Sequence, residues 1–314
     1  MTADALFPAE AASGTADALF TAEAASGTVV VVGDAGLDVV AQHTGPIVHG
    51  GDIRAKVRFT GGGAGANTAL WLASRGARPT LIARVGDDAG GRLIRAELEA
   101  AGVRCAFALD PAAATFCVVV LVDTDGQRSM LADRGANARF SPEDVDPSVL
   151  AGAKHLHLSG YVLLDPSSRP AGLAALAAAK AAGLTTSVDP QAAALIHDPA
   201  AFLDDVRGVD LLLPNTGELV ALTGSADPAA AKELLGVVGA VAVTAGLDGA
   251  SWVDADGVTT VHAEVVECVD STGAGDAFDA GVLSSWLAGA STVDALRAGV
   301  RLGTLAIGKV GPQP

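Results

Sequence analysis

The feature that most restricts the fold of this chain is a regular alternation of short, continuous apolar runs with longer stretches of helical periodicity. Continuous apolar runs are typical of strands buried on both faces of a parallel sheet. Strands are predicted at 29–32, 80–85, 155–158, 185–188, 209–213 and 241–244. Helices are predicted at 66–75, 90–101, 169–182, 228–238 and 274–288. This order predicts an α/β fold with a doubly wound, mainly parallel sheet, because right-handed βαβ units connect parallel strands through helices.

Two segments depart from that rhythm and indicate a second, smaller sheet. Residues 52–60 alternate polar and apolar side chains with period two, as one half-buried strand does. Residues 116–130 indicate two strands around an Asp125-Gly126 turn. We expect a small antiparallel β lid on the main domain, built from strands near 39–60 and 114–132.

The N-terminal segment contains a tandem duplication. The thirteen residues Thr2–Gly14 recur as Thr15–Gly27, and the two copies differ only where Pro8 is replaced by Thr21. Two short copies are too few for a repeat fold, which needs about three larger units. We expect residues 1–28 to be a disordered duplicated leader, native or artefactual, before a folded domain at 29–314. A short amphipathic helix is the alternative.

Charge and cysteine content restrict the partners of the chain. Acidic residues number 36 against 20 basic ones, a net charge of -16, which repels nucleic-acid phosphates and anionic lipid. The three cysteines are far apart and form no CxxC motif, which favours a reducing compartment, and we expect a cytoplasmic protein. These observations favour small-molecule chemistry, without nucleic-acid or membrane partners.

The motif with the clearest chemistry is DSTGAGDAFDAG at 270–281. Gly273, Ala274 and Gly275 are small and precede a predicted helix, so free backbone N–H groups and the helix dipole meet at this turn. Such a turn stabilises charge on a transferring phosphoryl group. Asp276 lies in the same turn, where its carboxylate is able to accept a proton from an attacking hydroxyl. An ordinary helix N-cap with a first-turn Asp is the alternative.

Together with further motifs in the same order, this turn resembles the signatures of the PfkB-type, or ribokinase-like, carbohydrate kinases. The other matching segments are 33–38, GGGAGAN at 61–67, RVGDDAGG at 84–91, PNTGE at 214–218 and VTAGLDGA at 243–250. The resemblance spans about residues 29–314. It implies a ribokinase-like fold and a phosphotransferase that moves the γ-phosphate of ATP, with Mg²⁺, to an alcohol group of a sugar, and it implies Asp276 as the catalytic base.

The resemblance also assigns roles on the sugar side. Asp38 would hold sugar hydroxyls, since an ionised carboxylate accepts two hydrogen bonds. Gly62, Gly63 and Asn67 would form the floor of the sugar pocket. The family commonly has a Lys after the Gly-Gly pair, and this chain has Ala64.

On the nucleotide side, the resemblance implies that Asn215 and Glu218 organise Mg²⁺ around the phosphates, Glu218 through water. Thr244, Gly246 and Gly249 would line the nucleotide groove.

In many members the Asp that begins the longer motif around GAGD, here Asp270, helps to hold a monovalent cation such as K⁺. The C-terminal KVGPQP departs from the pattern of that cation site.

The substrate remains open among several classes. A ribose- or fructose-like neutral sugar is the first choice. A nucleoside would need aromatic groups for its base, and the lid offers Phe59 and Phe116. An acidic sugar such as 2-keto-3-deoxygluconate would need a cation, for which Arg134 is the candidate.

Two classes outside the kinases are rivals. One is a non-catalytic sugar-binding protein on the same fold. The other is a dinucleotide-dependent oxidoreductase, whose GxGxxG fingerprint fails here because Gly63-Ala64-Gly65 is followed by Thr68.

Charged and apolar residues alternate along the predicted lid strand. Arg54, Lys56 and Arg58 share one face, which is a solvated edge or, alternatively, an anion clamp for a sugar phosphate. The opposite apolar face favours a homodimer through the lid.

We predict that the duplicated leader is dispensable. Deleting residues 1–27 should leave the melting temperature and the kinase activity within error, because the leader precedes the first predicted strand. Differential scanning calorimetry and an ATP-consumption assay measure both. A fall in Tm of more than a few degrees would show instead that the leader docks onto the domain.

Overall fold

A computed structural model of the protein describes residues 28–124 and 127–314, so the predicted leader (apart from Thr28) and the Asp125-Gly126 turn lie outside the described residues. The strands in chain order are β1 (Thr28–Val32), β2 (Gly36–His43), β3 (Ala55–Gly62), β4 (Thr80–Gly86), β5 (Arg104–Asp110), β6 (Phe116–Val122), β7 (Arg128–Asp133), β8 (Ala153–Ser159), β9 (Thr185–Asp189), β10 (Leu211–Leu212), β11 (Ala240–Thr244), β12 (Ala250–Asp254) and β13 (Gly257–Val261). The helices are α1 (Ala64–Ser74), α2 (Ala89–Ala100), α3 (Tyr161–Leu164), α4 (Arg169–Ala181), α5 (Pro199–Asp205), α6 (Thr216–Thr223), α7 (Ala274–Trp286) and α8 (Thr292–Ile307).

The larger sheet has the strand order β13-β12-β11-β10-β9-β8-β1-β4-β5. All neighbours from β11 to β5 are parallel, and the two pairs at the other edge, β11–β12 and β12–β13, are antiparallel. Along the chain, β1 is followed by its neighbour β4 on one side and later by β8 on the other. The predicted doubly wound, mainly parallel α/β sheet is therefore confirmed, with its switch point at β1.

The central strand β1 shows why the apolar runs are continuous. Val29 and Val31 belong to the core cluster that includes residues of α1, α2, α7 and α8. Val30 and Val32 belong to the cluster on the opposite face, which includes residues of α4, α5 and α6. Because helices cover both faces of this strand, its side chains from Val29 to Val32 are buried whichever face they are on, and all four are apolar.

The smaller sheet has the order β3-β2-β6-β7. Its outer pairs, β2–β3 and β6–β7, are antiparallel as expected for the lid, whereas the central β2–β6 pair is parallel. The register pairs Asp38 with Thr60 and Val40 with Arg58, so Lys56 and Arg58 lie on the face of the sheet that carries Asp38.

Several elements differ from the sequence-based expectation. The predicted helix at 228–238 is a 3-10 helix over Pro228–Gly236, and the predicted strand at 209–213 is reduced to the two residues of β10. Strands β5, β12 and β13 and helices α3, α5, α6 and α8 were not predicted. In the described part of the chain, no helix is both long and apolar enough to cross a bilayer.

The fold brings the motif residues to one edge of the larger sheet. The carboxyl ends of β1, β9, β10 and β11 face the N-terminus of α7, and open α/β sheets bind ligands at this edge. The lid lies beside this edge of the larger sheet, because its strand β2 follows β1 after a turn of three residues, 33–35.

Candidate active site

The N-terminus of α7 is shaped by the glycines of the GAGD motif. Gly273 is the N-cap residue, with a φ of 75°, in the left-handed region that favours glycine. A Cβ at this position would lie 2.6 Å from the Cβ of Pro312, in the C-terminal tail. Ala274 and Gly275 open the helix, whose first-turn N–H groups lack intrahelical acceptors. The turn therefore presents donors and a positive dipole end to an anion.

Asp276 lies in this first turn and is 7% exposed. The amide of Asn67, on α1, donates a hydrogen bond from Nδ2 to Asp276 Oδ2 at 2.9 Å. Burial raises the pKa of Asp276 to about 6, and hydrogen bonding from Asn67 and Gln191 opposes the rise. The carboxyl is thus ionised at neutral pH, with a basicity well above that of an exposed Asp.

The predicted sugar-side residues gather around the N-terminus of α1. Asp38 of β2 lies against Gly62, where a Cβ would come within 2.5 Å of Asp38 Oδ1. Gly63 is the N-cap of α1, and Asn67 lies one turn later. Burial raises the pKa of Asp38 to about 6. Among the described residues, Asn67 Oδ1 is a buried oxygen without a hydrogen-bond partner.

The predicted magnesium-side residues form a capping box at the start of α6. Glu218 Oε2 accepts from the backbone N–H of Asn215 at 2.8 Å, and Oε1 accepts from Asn215 Nδ2 at 2.6 Å. The Asn215 side chain in turn accepts from the Glu218 backbone N–H at 2.9 Å. Thr244, at the end of β11, forms a bridge with Asn215. Burial raises the pKa of Glu218.

A single cleft joins the catalytic and nucleotide-side motifs. Its lining includes six residues predicted from the sequence, namely Asn215, Glu218, Thr244, Gly273, Gly275 and Asp276. Gly246 and Gly249 lie in the turn after Thr244, with φ angles of 57° and 94°, and do not line this cleft. Asp38, Gly62 and Gly63 lie on the lid side, and Asn67 connects the two groups through Asp276.

Three polar lining residues were not predicted from the sequence, and the apolar Leu213 also lines the cleft. Asp189 ends the predicted strand β9, Gln191 follows two residues later, and Asp279 lies three residues after Asp276 on α7. An acidic residue at the carboxyl end of a buried parallel strand was the available signal for Asp189. Gln191 carries no such signal, because its position becomes meaningful only when β9 and α7 pack together. Asp279 lies within the DSTGAGDAFDAG motif at 270–281 but received no role there.

The cation predicted for an acidic sugar is already paired. Arg134 Nη2 lies 3.2 Å from Asp34 Oδ1, and Arg134 Nε lies 3.2 Å from Asp165 Oδ2. Two carboxylates therefore face this guanidinium. An anionic sugar would compete with both of them, which disfavours a site for acidic sugars at Arg134.

Asp270 is engaged by backbone groups. Its Oδ1 accepts from Thr272 N at 2.8 Å, and its Oδ2 accepts from Gly311 N at 3.1 Å, in the C-terminal tail. The KVGPQP segment thus lies beside the GAGD turn, where Trp71 Nε1 also donates to Pro312 O at 2.8 Å.

The donor set of the cleft fits Mg²⁺ held through water. Carboxyl groups from Asp189, Glu218, Asp276 and Asp279 line one cleft, and hard oxygen ligands suit this ion. Both Glu218 oxygens are occupied by the capping box, so contact through water fits better than direct ligation. Within 28–124 and 127–314, no group of three or more His, Cys, Asp or Glu side chains is arranged to hold a metal directly.

Comparison with known proteins agrees with this geometry. The chain is 34% identical over 256 residues to an ATP-dependent ribose-1-phosphate kinase from Halopiger xanaduensis, which covers 81% of this chain and 82% of that protein. It is 32% identical over 265 residues to a fructokinase from Klebsiella pneumoniae, with 81% and 82% covered. A putative ribokinase II from E. coli in complex with ATP and Mg²⁺ superposes with a TM-score of 0.81 at 26% identity, covering 91% of this chain and 94% of that one. The pfkB family carbohydrate kinase model matches residues 26–314, and this chain, an alcohol-accepting phosphotransferase, belongs to that family.

Proposed function

We propose that this kinase transfers the γ-phosphoryl group of ATP to a hydroxyl of a small neutral sugar, ribose- or fructose-like, with Asp276 as general base. The observation that carries the proposal is the buried Asp276 carboxylate at the N-terminus of α7. It lies between the Asp38–Asn67 side and the Asn215–Glu218 side of one site. A non-catalytic sugar-binding protein would have no use for a buried carboxylate of raised pKa beside an anion-binding turn.

The sugar side orients the attacking hydroxyl. Asp38 accepts hydrogen bonds from sugar hydroxyls, and Gly62 and Gly63 keep the floor of the pocket open. Asn67 donates to Asp276 through Nδ2 and offers Oδ1 to the sugar. Asp276 accepts the proton of the primary hydroxyl as that oxygen attacks the γ-phosphorus.

The phosphoryl side stabilises charge. The N–H groups of the turn Gly273–Ala274–Gly275 and the dipole of α7 face the transferring group. Asn215 and Glu218 would hold Mg²⁺ through water, and the ion supplies positive charge against the phosphates. Thr244, Gly246 and Gly249 line the groove proposed for the nucleotide. The E. coli structure that contains ATP and Mg²⁺ supports both ligands.

The smaller sheet acts as a lid in this proposal. It covers the sugar and excludes water, which would otherwise compete as acceptor. Val57, Phe59 and Leu131 share its other face and are 52%, 63% and 61% exposed. An apolar face of this kind supports a homodimer through the lid.

We also propose a cytoplasmic location and activation by K⁺ near Asp270. Titration with KCl, against a tetramethylammonium chloride control, tests the activation by K⁺.

A sugar phosphate is the second candidate substrate. The relative from Halopiger xanaduensis is a ribose-1-phosphate kinase. Lys56 and Arg58 lie on the Asp38 face of the lid, where they would meet a phosphate attached to the sugar. The acidic groups Asp34, Asp38 and Asp165 around the floor favour the neutral sugar.

A substrate panel separates these two candidates. ATP consumption should be fastest with ribose or fructose, and a Lys56→Ala/Arg58→Ala variant should keep its KM for the neutral sugar within about twofold, since a neutral sugar has no anionic group for these cations to bind. Coupled assays with ribose, fructose, adenosine, 2-keto-3-deoxygluconate and ribose 1-phosphate measure both. A preference for ribose 1-phosphate, with a tenfold rise in its KM in the variant, would establish the second candidate instead.

Asp38→Ala should weaken sugar binding selectively. A hydrogen bond to a charged group contributes about 1.5–3 kcal/mol, so the KM for the sugar should rise roughly 10- to 150-fold for each bond lost. The Kd for ATP, measured by isothermal titration calorimetry, should stay within about twofold. Equal losses for both ligands would show that Asp38 does not face the sugar.

Activity should fall on the acid side of pH 6. Burial raises the pKa values of both Asp276 and Asp38 to about 6, so each carboxylate that the reaction needs becomes protonated as pH falls through that value. The plot of log kcat/KM for the sugar should approach a slope of about 2 below pH 6, and about 1 in Asp38→Asn. A profile that stays flat to pH 5, with circular dichroism showing a folded protein, would contradict these assignments.

A further inference from the structure

The turn at the start of α7 needs support from other parts of the chain. Its N-cap residue, Gly273, has a φ of 75° and makes no side-chain capping hydrogen bond. Glycine adopts positive and negative φ about equally well, so the turn does not select this conformation by its own sequence. The proposed function nevertheless requires the N–H groups of the turn to stay aimed at the phosphoryl group. Contacts from outside the turn must therefore fix it.

Pro312 makes such a contact at the N-cap itself. The three atoms nearest to a Cβ built on Gly273 all belong to Pro312, whose Cβ, Cα and carbonyl oxygen would lie 2.6, 2.7 and 2.7 Å away. Pro312 is buried, and its ring fixes its own φ. A rigid residue thus packs directly on the cap of α7. A displacement of Pro312 would change the space that Gly273 occupies.

Trp71 of α1 holds Pro312 in this position. Its indole Nε1 donates a buried hydrogen bond to the carbonyl oxygen of Pro312 at 2.8 Å, and Trp71 is 4% exposed. Lys309 Nζ lies 5.2 Å from the centre of the indole ring, within the range of a cation–π interaction. One side chain therefore contacts the segment 309–312 at two points.

Asp270 ties the same segment to the other side of the turn. Its Oδ2 accepts from the backbone N–H of Gly311 at 3.1 Å, and its Oδ1 accepts from that of Thr272 at 2.8 Å. One carboxylate thus joins the residue before Pro312 to the residue before Gly273. The segment 309–312 is held from α1 and from the GAGD motif at the same time.

Helix α1 connects this support to the rest of the site. Asn67 and Trp71 are four residues apart, so they lie on the same face of α1. Asn67 donates to Asp276 at 2.9 Å, one turn of helix before the residue that holds Pro312. Trp71 itself does not line the cleft. It is therefore placed to act on the reaction through Pro312 and not by touching a substrate.

We propose that Trp71 is a positioning residue which, through its hydrogen bond to Pro312, fixes the turn Gly273–Ala274–Gly275 for stabilising charge on the transferring phosphoryl group. The inference rests on the role proposed above for this turn. It does not require Asp276 to be the base.

The direct test is Trp71→Phe, which removes the indole N–H and keeps an aromatic ring. A misplacement of about 1 Å costs on the order of 10²-fold in rate, so kcat should fall by about 10- to 100-fold. KM for ATP and for the acceptor should stay within about threefold, because no side chain of the cleft changes. Steady-state assays with the best acceptor of the substrate panel measure both. A kcat above half of the wild-type value would overturn the proposal.

Trp252→Phe is the matched control for a general loss of stability. Trp252 is also 4% exposed, and its Nε1 donates to Asp254 Oδ2 at 2.8 Å. It lies on β12, in the antiparallel part of the larger sheet, so the same atoms are removed away from the turn. Its kcat should stay within about twofold of wild type. If Trp252→Phe lowers kcat as much as Trp71→Phe at a similar Tm, the effect is one of stability and the positioning role is overturned.

A double-mutant cycle tests the route through Pro312. Pro312→Gly removes the ring that packs on Gly273 and should lower kcat by itself. Adding Trp71→Phe to Pro312→Gly should then lower kcat by less than about threefold, because both changes release the same contact. A full further loss would show that Trp71 acts by another route and would overturn the proposal.

Failure of this inference is distinguishable from failure of the base assignment. An Asp276→Asn enzyme with wild-type turnover would remove Asp276 as base, whereas kcat of Trp71→Phe should still fall. Conversely, a Trp71→Phe enzyme with wild-type kcat would overturn the positioning role, whatever the activity of Asp276→Asn.

Discussion

The structure depends on a buried carboxylate kept ionised where a helix begins. Asp276 is almost fully buried, and burial alone would favour its neutral form. The N-terminus of α7 and the amide of Asn67 favour the charged form instead. The balance leaves a base of intermediate strength beside the turn that receives the phosphoryl group. The glycines of the motif, the packing of α7 on α1 and the C-terminal tail against Gly273 all serve to keep this arrangement.

Charge explains how an acidic protein handles an anionic nucleotide. The chain carries a net charge of -16, and four carboxyl groups line the cleft. Of these, Asp189 and Asp279 have pKa values that burial raises well above the usual range, which favours their neutral forms. The Glu218 carboxylate accepts two hydrogen bonds from Asn215 in the capping box. The remaining attraction for phosphates comes from the backbone N–H groups of α7 and, in our proposal, from Mg²⁺. Recognition of the anion is thus local and does not depend on the net charge of the chain.

The sequence predicted the parts of this enzyme that local patterns determine. Strands such as β1 are buried on both faces and so appear as continuous apolar runs, and the GAGD turn is a contiguous motif. The parallel pairing of β2 with β6 was not predicted, because it joins segments far apart in the chain, while the hairpin-like pairs of the lid are local. Gln191 was missed for the same reason, since it reaches the cleft only where β9 meets α7, whereas Asp279 lies inside the motif at 270–281 and was given no role. Arg134 was identified from the sequence as the candidate cation for an acidic sugar. Its two carboxylate partners come from distant segments of the chain, and their presence disfavours that role.

The central claim, that Asp276 removes the proton during phosphoryl transfer, is tested most directly by one paired measurement on Asp276→Asn. Asn is nearly isosteric and keeps the first turn of α7 intact, yet it accepts no proton as a carboxylate does. Rapid-quench measurement of the phosphoryl-transfer step should show a rate about 10²–10⁴-fold below wild type. Calorimetric Kd values for ATP and sugar should remain within about threefold. A mutant that retains more than about a tenth of the wild-type chemical rate would contradict the account.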